Sequence, residues 1–202
     1  MTRRSWVARA APTVALGAWL VLAMWWTHGF RAFTSFSAAR IGAGAVPRPS
    51  PPLPVLDERG ERWDVAAQSD RYRLVQAMYL GCPDVCPVAM ARLGLIIRRL
   101  PEIVPGRLQV ISLSVDHDPP GALQAMWTAH GSPQGWTMAS LVDGPPEATM
   151  KRLGVWMQRR RDGLINHGLD LVLLDPAGEI VDVLSPDDDP VAIADRIRRE
   201  IR

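Results

Sequence analysis

The fold is decided by residues 74–87, which read Leu74-Val75-Gln76-Ala77-Met78-Tyr79-Leu80-Gly81-Cys82-Pro83-Asp84-Val85-Cys86-Pro87. The first half is apolar, so it predicts a buried strand that ends near Leu80. A loop with two cysteines follows, and a helix is predicted from Pro87, where the missing backbone N–H costs nothing in the first turn. This order places both cysteines between the end of a strand and the start of a helix.

The rest of residues 53–202 alternates between strand-like and helix-like segments. Besides a hairpin within 53–65, strands are predicted over 73–80, 108–115, 136–142, 170–174 and 179–184, and helices over 87–100, 120–130, 145–156 and 190–201. Strands interleaved with helices predict an α/β fold with a mixed sheet flanked by helices. A strand that runs into a cysteine-bearing loop and then into a helix that begins with proline is typical of a thioredoxin-like fold.

The length of 202 residues leaves room for one domain of about 150 residues and an anchor segment. Hydrophobic residues make up 48% of the chain, which excludes a disordered or collagen-like protein. Residues 10–30 are long and apolar enough to predict an N-terminal transmembrane helix, preceded by a cytoplasmic N-terminus at 1–9. Five prolines between positions 47 and 54 indicate a Pro-rich linker over 31–52, and the domain occupies 53–202.

The charges are unevenly placed and argue against a nucleic-acid partner. The net charge is +2, but residues 1–52 hold six arginines and no acid, which leaves 17 Lys and Arg against 21 Asp and Glu in the domain. The basic excess beside the apolar stretch is a topology signal that places the domain in the periplasm or an equivalent space. A cleaved signal peptide is the alternative, with Ala43-Gly44-Ala45 as its cleavage site.

Two cysteines in an oxidising compartment ordinarily form a structural disulfide bond. Their position at a helix N-terminus points to thiolate chemistry, because the helix dipole is expected to lower the pKa of Cys86, and that of Cys82 with it. The three intervening residues depart from the Cys-x-x-Cys spacing of thioredoxin-type reductases, and two cysteines cannot build a Cys₄ or Cys₃His zinc site. Cu(I) needs only two thiolates and one further donor.

The candidate third donor is a histidine, and the chain has four of them, His28, His117, His130 and His167. A lone histidine is more often a structural residue than a ligand. Spacing and periodicity do not choose among the four.

The residues around the cysteines resemble the signature of the Sco/SenC copper-binding proteins, which assemble respiratory cytochrome oxidase. Two further blocks resemble the family's pattern in the same order: Ser112-Leu113-Ser114-Val115-Asp116, and Asn166-His167 followed by Leu171–Leu174 and Asp175-Pro176-Ala177-Gly178. Together the three blocks cover most of residues 53–202, and the anchor and linker match the family's layout.

The resemblance implies that Cys82, Cys86 and His167 bind one copper ion. It also implies a metallochaperone, and not an enzyme, that delivers copper to the dinuclear copper A centre of cytochrome c oxidase. The expected protein is a monomer, held by a single-pass anchor in the inner (cytoplasmic) membrane, with the copper A subunit as its partner. Asp116 falls where the family has an acidic residue near the site, although a strand-end carboxylate is an equally good reading.

Other residues near these blocks have plainer readings. Asp84 shapes the loop or caps a turn, and Met78 and Met90 are more simply core residues than thioether ligands. Arg159-Arg160-Arg161-Asp162 stands where the family is usually acidic, and it is either a solvated loop or a surface that selects an acidic partner.

Two rival functions use the same cysteines. A thiol/disulfide reductase would use Cys82 and Cys86 as a redox pair to keep the oxidase's own copper-site cysteines reduced. A peroxide-responsive protein of peroxiredoxin-like ancestry would depend on one cysteine alone.

Overall fold

The computed structural model of the protein describes the backbone of residues 3–82 and 85–202 and the side chains of residues 11–82 and 86–202. In this part of the chain the strands are β1 (Arg48–Pro49), β2 (Pro54–Asp57), β3 (Arg62–Asp64), β4 (Tyr72–Met78), β5 (Leu108–Ser114), β6 (Trp136–Leu141), β7 (Met157–Arg159), β8 (Ile165–His167), β9 (Leu171–Leu174) and β10 (Glu179–Leu184). The helices are α1 (Arg3–Trp26), α2 (Ser35–Gly42), α3 (Val85–Ile97), α4 (Pro120–Ala129), α5 (Pro146–Leu153) and α6 (Pro190–Glu200).

Eight strands of the described residues form one mixed sheet in the order β1-β10-β9-β4-β5-β6-β2-β3. The central strands β4, β5 and β6 are parallel, whereas β9 and β10 on one side and β2 and β3 on the other are antiparallel to their neighbours. Almost every position of β4 and β5 is buried, so both faces of the sheet centre are covered. Helix α3 packs against α6, and α4 packs against β6.

This architecture confirms the predicted thioredoxin-like mixed sheet flanked by helices. The predicted strands and helices of residues 53–202 are found with ends shifted by a few residues, of which α5 is the most shortened. Prolines begin α4, α5 and α6, and the Asp189 carboxylate caps α6 by accepting the Val191 N–H at 2.7 Å.

The structure adds elements in two regions where no regular structure was expected. Residues 31–52, predicted to be a Pro-rich linker, contain α2 and β1, and β1 pairs with β10 at the sheet edge. Helix α2 begins with a capping box between Thr34 and Ser37, but its small and polar residues give no apolar periodicity. Strands β7 and β8 pair as a separate hairpin in a segment predicted to be a loop, because three-residue strands are too short to show an alternating pattern.

The N-terminal region differs from the predicted transmembrane helix in its boundaries. Helix α1 ends at Trp26, and a turn follows where residues 27–30 were expected to continue the span. None of the helices in the described part of the chain reaches the length and hydropathy that a bilayer crossing requires. The anchor over 10–30 therefore stays a prediction.

The turn Asp175-Pro176-Ala177-Gly178 between β9 and β10 generates a test of the fold. Gly178 has a φ of +86°, and a Cβ there would collide with the carbonyl oxygen of Ala66, whereas Gly60 has a φ of +82° and open space around it. Both Gly→Ala variants carry backbone strain of about 1–3 kcal/mol, and Gly178→Ala adds the collision. We expect urea unfolding to show a clearly larger loss of unfolding free energy for Gly178→Ala than for Gly60→Ala, and equal losses would contradict this packing.

Candidate metal centre

The cysteine loop lies at the carboxyl end of the central strand β4. After Met78 the chain turns so that the Cys82 N–H donates to the carbonyl oxygen of Tyr79 at 3.3 Å. The Cys86 N–H, in the first turn of α3, donates to Sγ of Cys82 at 3.3 Å. Both cysteines are present as thiols, Cys86 buried and Cys82 partly buried. Asp84, expected to shape this loop, lies outside the described residues.

The β7–β8 hairpin brings a histidine to the same place from a distant part of the sequence. His167 ends β8, and its Nε2 lies 3.7 Å from Sγ of Cys86, which is 81 positions away along the chain. Both residues are 7% exposed. The structure thus places the side chains of two predicted ligands, Cys86 and His167, in direct contact. The third predicted ligand, Cys82, contacts the backbone N–H of Cys86 through its sulfur.

A hydrogen bond determines which ring nitrogen of His167 carries the proton and which one is available to bind a metal ion. Nδ1 lies 2.8 Å from the carbonyl oxygen of Gly168, which accepts only, so Nδ1 carries the proton and donates it. Nε2 is then the bare nitrogen, and it faces the Cys86 sulfur. Burial lowers the pKa of His167, against the opposing effect of the Gly168 carbonyl, and so favours the neutral ring that a metal needs.

The expected lowering of the cysteine pKa is wrong for Cys86. Burial, followed by the hydrogen bond with Cys82, raises the pKa of Cys86 to about 12. The helix N-terminus supplies partial positive charge, but removing a thiolate from water outweighs it in this pocket. Cys86 is therefore a thiol at neutral pH, and a metal ion has to displace its proton in order to bind.

The separation of Cys86 and His167 suits one shared metal ion. With metal–sulfur and metal–nitrogen bonds of about 2.3 and 2.1 Å and an angle of about 110–120°, the two donor atoms lie roughly 3.6–3.8 Å apart. The observed 3.7 Å falls in that interval. Among the described residues, no group of three or more His, Cys, Asp or Glu side chains is already arranged around a metal position. Cys82 has to close on the ion for a three-donor site to form.

The family is decided by a comparison of the whole sequence. The SCO1/SenC family model matches residues 48–202. The chain belongs to the SCO1/SenC family. A search of the curated proteins finds no match to it.

Solved structures share the fold of this SCO1/SenC chain at low sequence identity. Arabidopsis thaliana ScoI with copper bound is 17% identical, with a TM-score of 0.66, over 77% of this chain and 99% of that one. Yeast Sco1 with copper bound is 20% identical, with a TM-score of 0.62, over 77% and 89% of the two chains. BsSco, described as a cytochrome c oxidase assembly protein with a disulfide switch, is 14% identical, with a TM-score of 0.60, over 77% and 95%.

The other three histidines of this SCO1/SenC chain lie in other surroundings. The Nδ1 atoms of His117 and His130 lie 2.6 Å and 2.9 Å from the carbonyl oxygens of Leu141 and Met126. His28 lies in the turn after α1. Of the four, His167 is the one that contacts Cys86 in the described part of the chain.

The two methionines considered as thioether ligands are core residues. Met78 and Met90 are both 3% exposed. The Ser112 hydroxyl donates to the sulfur of Met90 at 3.3 Å, so that thioether already has a polar partner.

The acidic residue after β5 and the basic run contact each other. Asp116 is exposed and pairs with Arg159 of β7 at 2.9 Å, and Arg159 also lies 3.9 Å from Glu147. Arg160 pairs with Asp162 at 2.8 Å. Asp116 therefore ties the end of β5 to the hairpin that carries His167, and much of the basic run is paired within the chain.

Sequence analysis missed two residues that position the site. The ring of Tyr79 meets the His167 imidazole edge to face, with centroids 6.0 Å apart, and its hydroxyl bonds with Cys82 and accepts the Ile165 N–H at 3.4 Å. The Asp118 carboxylate accepts the Leu80 N–H at 3.1 Å and the hydroxyl of Ser114, so it holds the start of the cysteine loop against β5. The position of Tyr79 at the strand end before Cys82 was a sequence signal that it lies near the site. For Asp118 the sequence offers no such signal beyond its position after β5.

The raised pKa of Cys86 predicts unequal thiol reactivity. In Cys82→Ser, the remaining Cys86 is expected to react with iodoacetamide at pH 8 at least about tenfold more slowly than Cys82 does in Cys86→Ser, because the thiolate is the nucleophile. Burial, the largest cause of the shift, persists in the Cys82→Ser variant. The Cys86 rate should still be rising with pH at about pH 10, below its pKa. Equal rates, or a Cys86 rate that levels off near pH 9, would refute this assignment.

Proposed function

We propose that this chain is a copper metallochaperone that binds one copper ion through Cys82, Cys86 and His167 and passes it to the dinuclear copper A centre of cytochrome c oxidase. The observation that carries the proposal is the contact of 3.7 Å between Sγ of Cys86 and the unprotonated Nε2 of His167. Membership of the SCO1/SenC family and the copper bound in the similar ScoI and Sco1 structures support it.

The donor set selects copper by its chemistry. Two thiolates and a neutral imidazole are soft and borderline donors, which suit Cu(I) and also accept Cu(II), whereas a structural zinc site needs a fourth protein ligand. With Cu(II) the three donors leave no net charge, and with Cu(I) they leave one negative charge. Either state suits a buried site better than two unpaired thiolates do.

Release of the ion follows from the same arrangement. Cys82 is partly exposed and sits in the loop, whereas Cys86 and His167 are buried, so an acceptor thiolate can reach the copper first from the Cys82 side. Each acceptor ligand that binds replaces one ligand of this chain, and the ion is never free in solution. Protonation of Cys86, whose pKa is raised to about 12, then favours the empty thiol state of the donor.

The proposal includes a membrane anchor at residues 10–30 and a domain on the periplasmic face. Its support is the exposed apolar surface of α1, on which Trp19, Trp25 and Trp26 are 62%, 77% and 80% exposed. Such a surface needs a covering, and tryptophans are enriched at membrane–water interfaces. The arginines at positions 3, 4 and 9 support an orientation with the N-terminus in the cytoplasm.

A thiol/disulfide reductase stays the second candidate function, because Sγ of Cys82 already lies beside the Cys86 backbone and a disulfide switch is described for BsSco. In that function Cys82 is the attacking thiol, since Cys86 is buried and has the raised pKa. The imidazole has no necessary part in disulfide exchange.

Copper binding by the purified full chain tests the proposal and separates the two functions. We expect Cys82→Ser, Cys86→Ser and His167→Ala each to weaken copper binding by more than about 100-fold, since loss of a ligand exceeds the 10–100-fold effect of losing a group that orients one. His130→Ala, which removes an exposed histidine, is the matched control and should bind like the wild type.

Thiolate-to-Cu(II) charge-transfer absorption and competition with a Cu(I) chelator measure the binding. Under the copper proposal His167→Ala loses copper while the disulfide exchange rate changes little. Wild-type affinity in all three ligand variants would remove the site assignment, and a His167→Ala variant that binds copper normally would leave the reductase as the better reading.

A further inference from the structure

We propose that Arg40 is a positioning residue for the copper ligand His167, because through Asp170 it fastens helix α2 to the segment that carries the imidazole. This inference rests on the proposed function in assigning His167 as a ligand. The helix that contributes Arg40 lies before residue 48, where the family match begins.

The contact between the two side chains is an ion pair in which the carboxylate is buried and the guanidinium is partly exposed. The Arg40 guanidinium lies 2.5 Å from the Asp170 carboxylate, and the side chains are 36% and 2% exposed. A carboxylate this well covered needs its charge compensated. Among the described residues, Arg40 is the cation that pairs with it.

An aromatic contact holds the same helix to the chain just before β7. The rings of Phe36 and Trp156 meet edge to face, with centroids 5.1 Å apart and an interplanar angle of 72°. The Trp156 carbonyl oxygen in turn accepts the Gly168 N–H at 2.7 Å. Helix α2 is therefore linked to both sides of the β7–β8 hairpin, through Trp156 on one side and Asp170 on the other.

Two glycines allow α2 to approach the domain this closely. A Cβ at Gly154 would lie 3.2 Å from Cβ of Ala43 and 3.6 Å from Cα of Arg40. A Cβ at Gly168 would lie 2.8 Å from the Asp170 carboxylate and 3.5 Å from the Phe36 ring. At these two positions the absence of a side chain leaves the space that α2 and the Asp170 carboxylate occupy.

The connection to the copper ligand passes through Gly168. The carbonyl oxygen of Gly168 accepts the Nδ1–H of His167, and the Gly168 N–H donates to the carbonyl oxygen of Trp156. A Cβ at Gly168 would lie only 2.8 Å from the Asp170 carboxylate, so the carboxylate packs closely beside this residue. Loss of the Arg40–Asp170 pair is therefore expected to loosen the Gly168–Leu169 peptide, whose carbonyl orients the imidazole ring, while the Gly168 N–H stays bound to Trp156. Groups that hydrogen-bond directly to a metal-binding histidine typically change metal affinity by about 10–100-fold when lost, and Arg40 acts on that bond through Asp170 and Gly168, so the lower end of this range is expected.

The segment between α1 and the domain is consequently more than a spacer. It connects α1 to the hairpin that supplies the imidazole. A change in residues 35–42 is therefore expected to alter the position of the His167 ring. A free linker would leave the imidazole unaffected by changes in residues 35–42.

The experiment compares two arginine variants of the full chain. Arg40→Gln breaks the pair with the buried Asp170 carboxylate, and Arg62→Gln breaks the Arg62–Asp143 pair, which has the same 2.5 Å separation but side chains 62% and 57% exposed. We expect Arg40→Gln to release copper to a chelator about tenfold faster than the wild type and to alter the nitrogen hyperfine coupling of the Cu(II) form. Arg62→Gln should match the wild type in both measurements.

Nitrogen NMR of the His167 ring in the metal-free protein gives a second measurement that needs no copper. The wild type should show a single tautomer with the proton on Nδ1, and Arg40→Gln should show a mixture of tautomers. If the wild type binds no copper, the proposed function fails, and this spectrum still decides whether Arg40 positions the His167 ring. An unchanged ring spectrum or an unchanged release rate in Arg40→Gln would overturn it.

The double variant Arg40→Gln/Asp170→Asn separates positioning from loss of stability. It removes the uncompensated charge, so its melting temperature should recover toward that of the wild type, while the fast copper release and the mixed tautomers persist. Recovery of all three properties would show that the pair acts only through stability, and would overturn the inference.

Discussion

The hydrogen bond from Nδ1 of His167 to the carbonyl oxygen of Gly168 is the interaction on which the site depends. At 2.8 Å it holds the ring proton on one nitrogen and turns the other toward the sulfur of Cys86. Without it a neutral imidazole in this pocket could take either tautomer, and one of them would present an N–H to the metal position. The contacts of Tyr79 with His167 and of Trp156 with Gly168 hold the imidazole and the Gly168 carbonyl in position for this bond.

Burial gives this centre a different acid–base balance from that of a thioredoxin-type redox site. The same covering that keeps His167 neutral raises the pKa of Cys86 to about 12, so the empty site holds a thiol and a neutral ring and no charge has to be buried. Binding a metal ion exchanges the thiol proton for the ion. A high pKa makes Cys86 a slow nucleophile but does not weaken it as a ligand once the proton has left.

Sequence reasoning was sufficient where the signal was local. The strand before Cys82, the helix after it and the succession of the other strands and helices along the chain follow from apolar pattern and proline position, and these predictions are confirmed. The pairing of His167 with Cys86 came only through the family resemblance, because a hairpin of three-residue strands leaves no periodicity to read. Helix α2 was missed because it depends on contacts with Trp156 and Asp170, more than a hundred positions away.

The wrong direction for the Cys86 pKa has an equally physical origin. The helix N-terminus can be read from the sequence, whereas the depth of burial depends on residues that the hairpin and β4 bring to the sulfur. Sequence therefore shows the stabilising partial charge and not the larger desolvation that opposes it.

The most direct test of the central claim is X-ray absorption spectroscopy of the purified chain loaded with one equivalent of copper. Two sulfur scatterers and one imidazole nitrogen at bonding distance are the predicted result, with the imidazole contribution absent in His167→Ala. A copper shell without imidazole in the wild type, or one with fewer than two sulfurs, would contradict the account.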